Sequence, residues 1–348
     1  MTSISPDLTP LAEFSRQFLS GGKRFRALFC YWGWQSVGTG ERAGSGLDSD
    51  PSPSALGPVI SAAAALEIFH AAALVHDDII DKSDTRRGSA SAHKLFEGMH
   101  GRSGWAGSQA EFGRAAGILL GDLLLGWSDE LLDEGLAAAP DASAAARARI
   151  EFNRMRTEVT VGQYLDILEE RAWLTQPEAE LFDRALRVIV FKSAKYSVQA
   201  PLVIGAALAG AGPDHLDALR AFGLPLGVAF QLRDDLLGVF GDSSVTGKPS
   251  GDDLREGKRT VLIALAREHL SVAARAELDA LLGDPLLTQD QIGMLQGTII
   301  DSGAVERVES LIASNVAEAL AVLEGSPISD AVTVRLMELA ETVTRRAS

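Results

Sequence analysis

Residues 216–240 read LDALRAFGLPLGVAFQLRDDLLGVF. Apolar side chains fall at Leu216, Leu219, Phe222, Leu226, Ala229, Leu232, Leu236 and Val239. Steps of three and four residues place them on one stripe of an α-helix. The stripe runs past two adjacent carboxylates, Asp234 and Asp235. AALVHDDIID (72–81) repeats this passage from an apolar helix into an aspartate pair, and ERVESLIASNVAEALAVL (306–323) repeats the helical spacing. Alanine and leucine dominate, and no segment sustains a period-two alternation of β-branched residues. The predicted fold is all-α with essentially no sheet, in roughly ten to thirteen helices by ordinary helix lengths.

Three stretches rich in Gly, Ser, Pro or charge read as loops: 38–58, 97–113 and 241–260. They are too short and too evenly spread to divide the chain, so one domain over 1–348 is expected. The 348 residues, 46% hydrophobic, are ample for a single large core. The final hundred residues read as amphipathic packing helices.

Thirty-two basic against 47 acidic residues leave a net charge of −15. That argues against non-specific nucleic-acid binding and against adhesion to an anionic membrane. An anionic substrate remains compatible if cations stand between it and the protein. Cys30 is the only cysteine, which excludes an intramolecular disulfide and a cysteine-based zinc site. The N-terminal residues have neither a basic region nor an apolar core of the secretory kind. The longest apolar stretch, Val59 to Val75, is broken by Glu67 and His70 and is short for a membrane span. The expectation is a soluble cytoplasmic protein.

The chemistry concentrates in HDDIIDKSDTRRG (76–88). On a helix Asp77 and Asp81 share a face, with Asp78 about 100° away. Two carboxylates four apart repel mildly, and nothing N-terminal to them offers a lysine at helical spacing. Oxygen ligands on one face suit Mg²⁺, which takes a few carboxylates together with phosphate oxygens and water. A solvated acidic helix end is the plainer explanation for DDIID alone. Asp234 and Asp235 change the balance, because two acidic helix ends facing one hollow can hold several Mg²⁺ ions around a diphosphate. Lys23 and Arg26 of GGKRFR, Arg86 and Arg87 of TRRG, Lys195, Lys248 and Lys258 could supply the counter-charge, although each taken singly is an ordinary surface cation. GGKRFR lacks the spacing and hydroxyl of a Walker loop.

GGKRFR (21–26), HDDIIDKSDTRRG (76–88), GQYLDI (162–167), FQLRDDLLGVFGD (230–242) and GKPSGDDLREGKRT (247–260) stand in the order seen in trans-isoprenyl diphosphate synthases. The sequence resembles that polyprenyl synthetase family, most of all its bacterial geranylgeranyl-type members. The resemblance implies antiparallel helices around a deep central cavity, a homodimer, and Mg²⁺-dependent coupling of an allylic diphosphate to isopentenyl diphosphate, with three ions per site. Asp77, Asp81 and Asp234 would bind Mg²⁺, with Asp78 and Asp235 supporting them. Arg86 would hold the allylic diphosphate. Lys23, Arg26, His70 and Arg87 would hold isopentenyl diphosphate. Lys195, Gln231, Lys248 and Lys258 would surround the departing diphosphate, and Gln163 and Asp166 would lie near the allylic site. His70, a lone histidine among apolar residues, has a packing role as its plain alternative.

The sequence departs from the family pattern in places. Gly238 stands where the second motif often has a fifth-position aspartate. Asp242 follows, but Gly238 and Gly241 stand before it and are expected to bend the backbone. Tyr196 follows Lys195 where a threonine is usual. No proline follows GGKRFR, and the short N-terminus suggests a shortened first helix. In the family, bulky residues one turn before the first aspartates stop growth at fifteen carbons. Ala72 and Ala73 leave that level open, and Phe69, roughly 12 Å below Asp77, becomes the expected floor for a twenty-carbon product. A longer-chain synthase, a class I terpene cyclase and a non-catalytic partner subunit are the alternatives. The cyclase would need Glu where Val161 follows Asn153 and Thr157, and a silent partner would be expected to have degraded aspartate clusters.

Overall fold

The computed structural model describes residues 3–37, 53–242 and 250–345. Within them the chain forms fifteen α-helices. They are α1 (Thr9–Leu19), α2 (Phe25–Gln35), α3 (Pro53–Ile80), α4 (Ala92–Ser103), α5 (Gln109–Ala137), α6 (Ala142–Ala172), α7 (Leu181–Val188), α8 (Ala200–Leu208), α9 (Pro213–Phe240), α10 (Asp252–Glu256), α11 (Val261–His269), α12 (Val272–Leu281), α13 (Gln289–Asp301), α14 (Ala304–Leu323) and α15 (Asp330–Thr344). The number exceeds the expectation because loop-like composition hides helix ends. α4 and α5 extend so far into 97–113 that the gap between them is only 104–108, and α10 lies inside the third expected loop. Likewise α3 starts at Pro53, inside the first.

The expectation of essentially no sheet holds, and the described residues add one small pairing to it. β1 (Thr85–Arg86) and β2 (Ser89–Ala90) pair antiparallel, Thr85 opposite Ala90 and Arg86 opposite Ser89. Arg87 (φ 52°) and Gly88 (φ 74°) both sit in the left-handed region, as a two-residue hairpin turn requires. Strands of two residues cannot display a period, so nothing in the sequence announces them.

Three apolar clusters hold the helices together. Phe29, Leu66, Phe69, Phe152, Leu202 and Phe222 belong to the first, where α2, α3, α6, α8 and α9 meet. Leu232, Leu236, Leu254, Val261 and Ile292 belong to the second, where α7 and the second half of α9 meet the C-terminal helices. Ala72, Val75, Leu120 and Leu124 seal α3 against α5. The stripe on α9 serves two of them: Phe222 and Leu226 face the first, Leu232 and Leu236 the second. The segment Leu56–Ile80 is long and apolar enough to cross a membrane, but 61% of its apolar window is buried inside the fold, where it acts as a core helix.

Between α7 and α8 the chain widens into a π-helical segment, Ile189–Gln199. Such segments often mark functional positions. Glycines on two neighbours let it sit close. A Cβ on Gly162 of α6 would lie 2.7 Å from Lys192 Cα, and one on Gly227 of α9 would lie 2.7 Å from Ala194 Cα. α6 and α9 thus press the segment from two sides and fix where Lys192 points.

Candidate active site

The C-terminal end of α3 carries the first aspartate cluster, and the chain's own cations surround it. Asp78 is fully buried. Arg86, turned back by the hairpin, donates from Nε to Asp78 Oδ1 at 2.8 Å and from Nη2 to the same oxygen, and Nη2 also reaches Asp77 Oδ2 at 3.3 Å. On the other side Gln163 Nε2 donates to Asp77 Oδ1 at 3.1 Å, and Lys192 Nζ donates to it at 3.2 Å. Lys192 also pairs with Asp166. Burial drives the Asp77 carboxyl up, but Lys192, Lys258 and Arg86 outweigh it and hold it well below the usual carboxylate range. One turn on, Asp81 goes the other way. Burial and the neighbouring Asp77 push it up to about 6.

The lysine that serves this cluster is Lys192. Lys195 instead donates to Glu158 Oε1 at 2.7 Å and lies over the Phe191 ring. Three residues along a π-helical turn do not bring both amines to one face, and the sequence of FKSAKYS does not say which lysine points inward. Ser193, and not Tyr196, is the residue that follows the lysine facing the cluster.

The second cluster ends α9. Asp234 is exposed and Asp235 is buried. Gln231 Nε2 donates to Asp235 Oδ1 at 2.7 Å, one turn earlier on the same face. Burial pushes the Asp235 carboxyl up to about 8 against that hydrogen bond, and the nearby Asp253 and Asp234 add to the rise. Lys258 links the two clusters. Its Nζ lies 3.5 Å from Asp81 Oδ2, 2.9 Å from Glu256 Oε2 and 3.8 Å from Asp253 Oδ1. Ser83, just past α3, donates to Glu256 Oε1 and ties the same two segments. The acidic ends of α3 and α9, far apart in the chain, therefore converge. Asp242 lies exposed beyond the α9 cap. Lys248 lies outside the described residues.

A basic pocket adjoins the first cluster. Gly21, Gly22 and Arg24 all have positive φ (74°, 82° and 54°), a sharp bend that carries Lys23. Arg87 lies across this bend. A Cβ on Gly22 would come within 2.9 Å of Arg87 Nη2, and Arg87 Nη1 donates to the Ser20 carbonyl at 3.3 Å. Glu67 anchors the bend, accepting from Arg24 Nη1 at 3.2 Å and from the Ala27 amide at 3.1 Å. Arg26 donates to Ser197 Oγ at 2.7 Å and stacks 4.3 Å over the Tyr196 ring. His70 Nδ1 lies 2.9 Å from the Tyr196 hydroxyl. Burial, then Arg26, Arg87 and Arg86, lower the His70 pKa well below its ordinary value. Burial and the neighbouring Arg24 and Arg86 lower that of Arg87. Cations that depress one another in this way form a site suited to an anion.

Below Asp77, Ala73 is half-buried on the aspartate face, and Phe69 closes that face at 5% exposure. The Phe69 ring meets Tyr196 at 5.8 Å and Phe152 at 6.1 Å, both edge-on. Ala72 does not share this face: it is buried against α5 with Leu120 and Leu124. Five residues before Asp77, it is turned about 140° from it by helical geometry.

Sequence reasoning passed over Lys192, Tyr196, Asp253 and Glu256. The last two lie inside a motif already recognised. Tyr196 gave no signal beyond its place beside a lysine.

Among the described residues no three acidic, histidine or cysteine side chains form a ready-made cation site. Individual atoms nevertheless fit a divalent ion. Both Asp81 oxygens and Asp235 Oδ2 are buried and accept no hydrogen bond. An all-oxygen donor set incomplete without substrate is the Mg²⁺ pattern.

The sequence profile described as polyprenyl synthetase matches residues 9–295. The chain is 31% identical to the geranylfarnesyl diphosphate synthase of Aeropyrum pernix over 337 residues, 97% of this chain and 93% of that one. It is 34% identical to the geranylgeranyl diphosphate synthase of Mycobacterium tuberculosis over 266 residues, 76% and 64% of the two chains. Among solved structures, the geranylgeranyl pyrophosphate synthase of Corynebacterium glutamicum, complexed with isoprenyl diphosphate and magnesium, superposes with a TM-score of 0.89 at 40% identity, over 99% of this chain and 93% of that one. The chain belongs to the polyprenyl synthetase family, whose members are prenyltransferases that build isoprenyl diphosphates.

Proposed function

We propose that this protein, as a single polyprenyl synthetase domain, condenses an allylic diphosphate with isopentenyl diphosphate, head to tail, and releases chiefly the twenty-carbon geranylgeranyl diphosphate. The observation that carries this reading is the position of Lys258, whose ammonium reaches Asp81 at the end of α3 and Asp253 beside the end of α9. Two carboxylate clusters joined through one cation suit a diphosphate held through divalent ions.

Asp77, Asp81 and Asp234 would hold Mg²⁺, three ions in all, with Asp78 and Asp235 beside them. When bound, Mg²⁺ withdraws electron density from the departing diphosphate. Arg86, Lys192, Lys258 and Gln231 hold the allylic diphosphate and stabilise its oxygens as charge develops. Lys23, Arg26, Arg87 and His70 hold isopentenyl diphosphate in the basic pocket. The allylic carbon–oxygen bond breaks and its electron pair leaves with diphosphate. The isopentenyl double bond attacks the cation, forming a carbon–carbon bond. A proton then passes to the released diphosphate and leaves a longer allylic diphosphate. Ala73 and Phe69 line the growing tail and exclude water, with Phe69 as floor.

The exposed apolar residues Ile118 and Leu119 on α5, and Ile150, Val161 and Tyr164 on α6, support a homodimer through these two helices. The composition supports a cytoplasmic location.

The test is incubation of the purified protein with Mg²⁺, isopentenyl diphosphate and starters of five, ten or fifteen carbons, with products sized by chromatography. Elongation to twenty carbons is expected, and no elongation with any starter overturns the reading. Phe69→Ala should lengthen the product by at least one five-carbon unit. Unchanged products would remove Phe69 as the floor.

A further inference from the structure

The second aspartate motif has no side chain at 238, yet a carboxylate stands there. A Cβ built on Gly238 would collide with the Asp253 carboxylate, Oδ1 at 2.9 Å and Oδ2 and Cγ closer still. The end of the Asp253 side chain, carried on α10, therefore fills the volume in which a side chain at 238 would begin. Gly238 lies one turn past Asp234 on the same helix, so the Asp253 carboxylate stands at the end of the cluster. Asp235 itself is 6% exposed, and its Oδ2 accepts no hydrogen bond, so the cluster contains a buried acceptor in need of a partner.

We propose that Asp253 is the third carboxylate of the second metal-binding cluster, reaching in from a neighbouring helix to stand in for the side chain that Gly238 lacks. The proposal rests on the Mg²⁺–diphosphate reading above. The competing role is local: Asp253 as a counter-ion of Lys258, 3.8 Å away, which also has Glu256 at 2.9 Å.

Overlap at 238 makes the two roles separable. Any side chain at 238 must displace Asp253, so Gly238→Ala should behave like Asp253→Asn. A carboxylate moved to the other backbone should restore what either change removes, while leaving Lys258 without Asp253. The measurement is calorimetric binding of Mg²⁺ in the presence of inorganic pyrophosphate, on the full chain, with folding of each variant checked by circular dichroism. Asp253→Asn and Gly238→Ala should each weaken Mg²⁺ binding by about tenfold or more, and Gly238→Asp with Asp253→Gly should recover to within about threefold of the parent. Asp253→Asn binding Mg²⁺ as the parent does, while Asp234→Asn loses binding, overturns the proposal and leaves the metal reading standing. Failure of the folded transposed variant to recover assigns Asp253 to Lys258 and also overturns it. Parent-like binding in both Asp234→Asn and Asp77→Asn removes the metal reading itself, and the proposal with it.

Discussion

At the end of α3, Asp77 meets Lys192, Arg86 and Gln163 within hydrogen-bond reach, and its carboxyl is held below the ordinary range. At the end of α9, Asp235 meets an amide from Gln231 and the field of two further carboxylates, and its carboxyl rises to about 8. The two motifs look alike in sequence, each an apolar helix running into an aspartate pair. Their surroundings are opposite. Asp77 is balanced by the chain's own cations before any ligand arrives, whereas Asp235 is not. On the proposed reading the paired motif divides its work: Asp77 is pre-shaped, and Asp235, like Asp81 in the first cluster, is completed on binding.

The largest test of that contrast removes the balanced charge. Asp77→Asn should lower the rate of product formation about 10³-fold, since Lys192 and Arg86 lose the anion that orients them at the reacting diphosphate. A parent-like rate in steady-state assays would show that the balance at α3 plays no part in turnover. Next comes the lysine pair. Lys192→Ala should cost about 10²-fold in kcat, while Lys195→Ala, whose partner is Glu158, should stay within about threefold. Equal losses would restore Lys195 to the site.

The basic pocket beside the first cluster sharpens the comparison through pH. The pKa of His70 in the folded protein lies well below 6.5, its value in an unfolded chain. The unfolded chain therefore takes up a proton that the folded one resists, and stability present above pH 6.5 is lost as pH falls below it. His70→Gln, which keeps a polar group facing Tyr196, should show a shallower fall in melting temperature between pH 7 and 5.5. An identical slope would mean that neither burial nor the arginines depress His70. The smallest effect concerns the tie between the two clusters. Ser83→Ala removes the hydrogen bond to Glu256 and should cost about 1 kcal/mol, seen as a lower denaturant midpoint. No shift would show that the bond adds nothing to closure.

Much of this was legible beforehand. The stripe on α9 and the run into Asp77 announced helices, and their carboxylates announced an oxygen-rich site, because both signals depend on spacing along a single helix. Lys192 against Lys195 was not legible. The choice depends on a π-helical segment pressed between Gly162 and Gly227, and periodicity of 3.6 misplaces side chains there. Ala72 was misplaced for a different reason. Ordinary helical spacing already turns it about 140° from Asp77, and the structure buries it against α5. The hairpin that swings Arg86 onto Asp78 was too short to leave a pattern.

By itself the sequence determined the helical class, the family and the inventory of charges, since these follow from local spacing and from ordered motifs. Tertiary structure alone decided which charges meet. Lys258 reaches Asp81 across 177 residues, and Asp253 comes to rest over Gly238, because buried charges settle only where packing brings a partner or an empty volume.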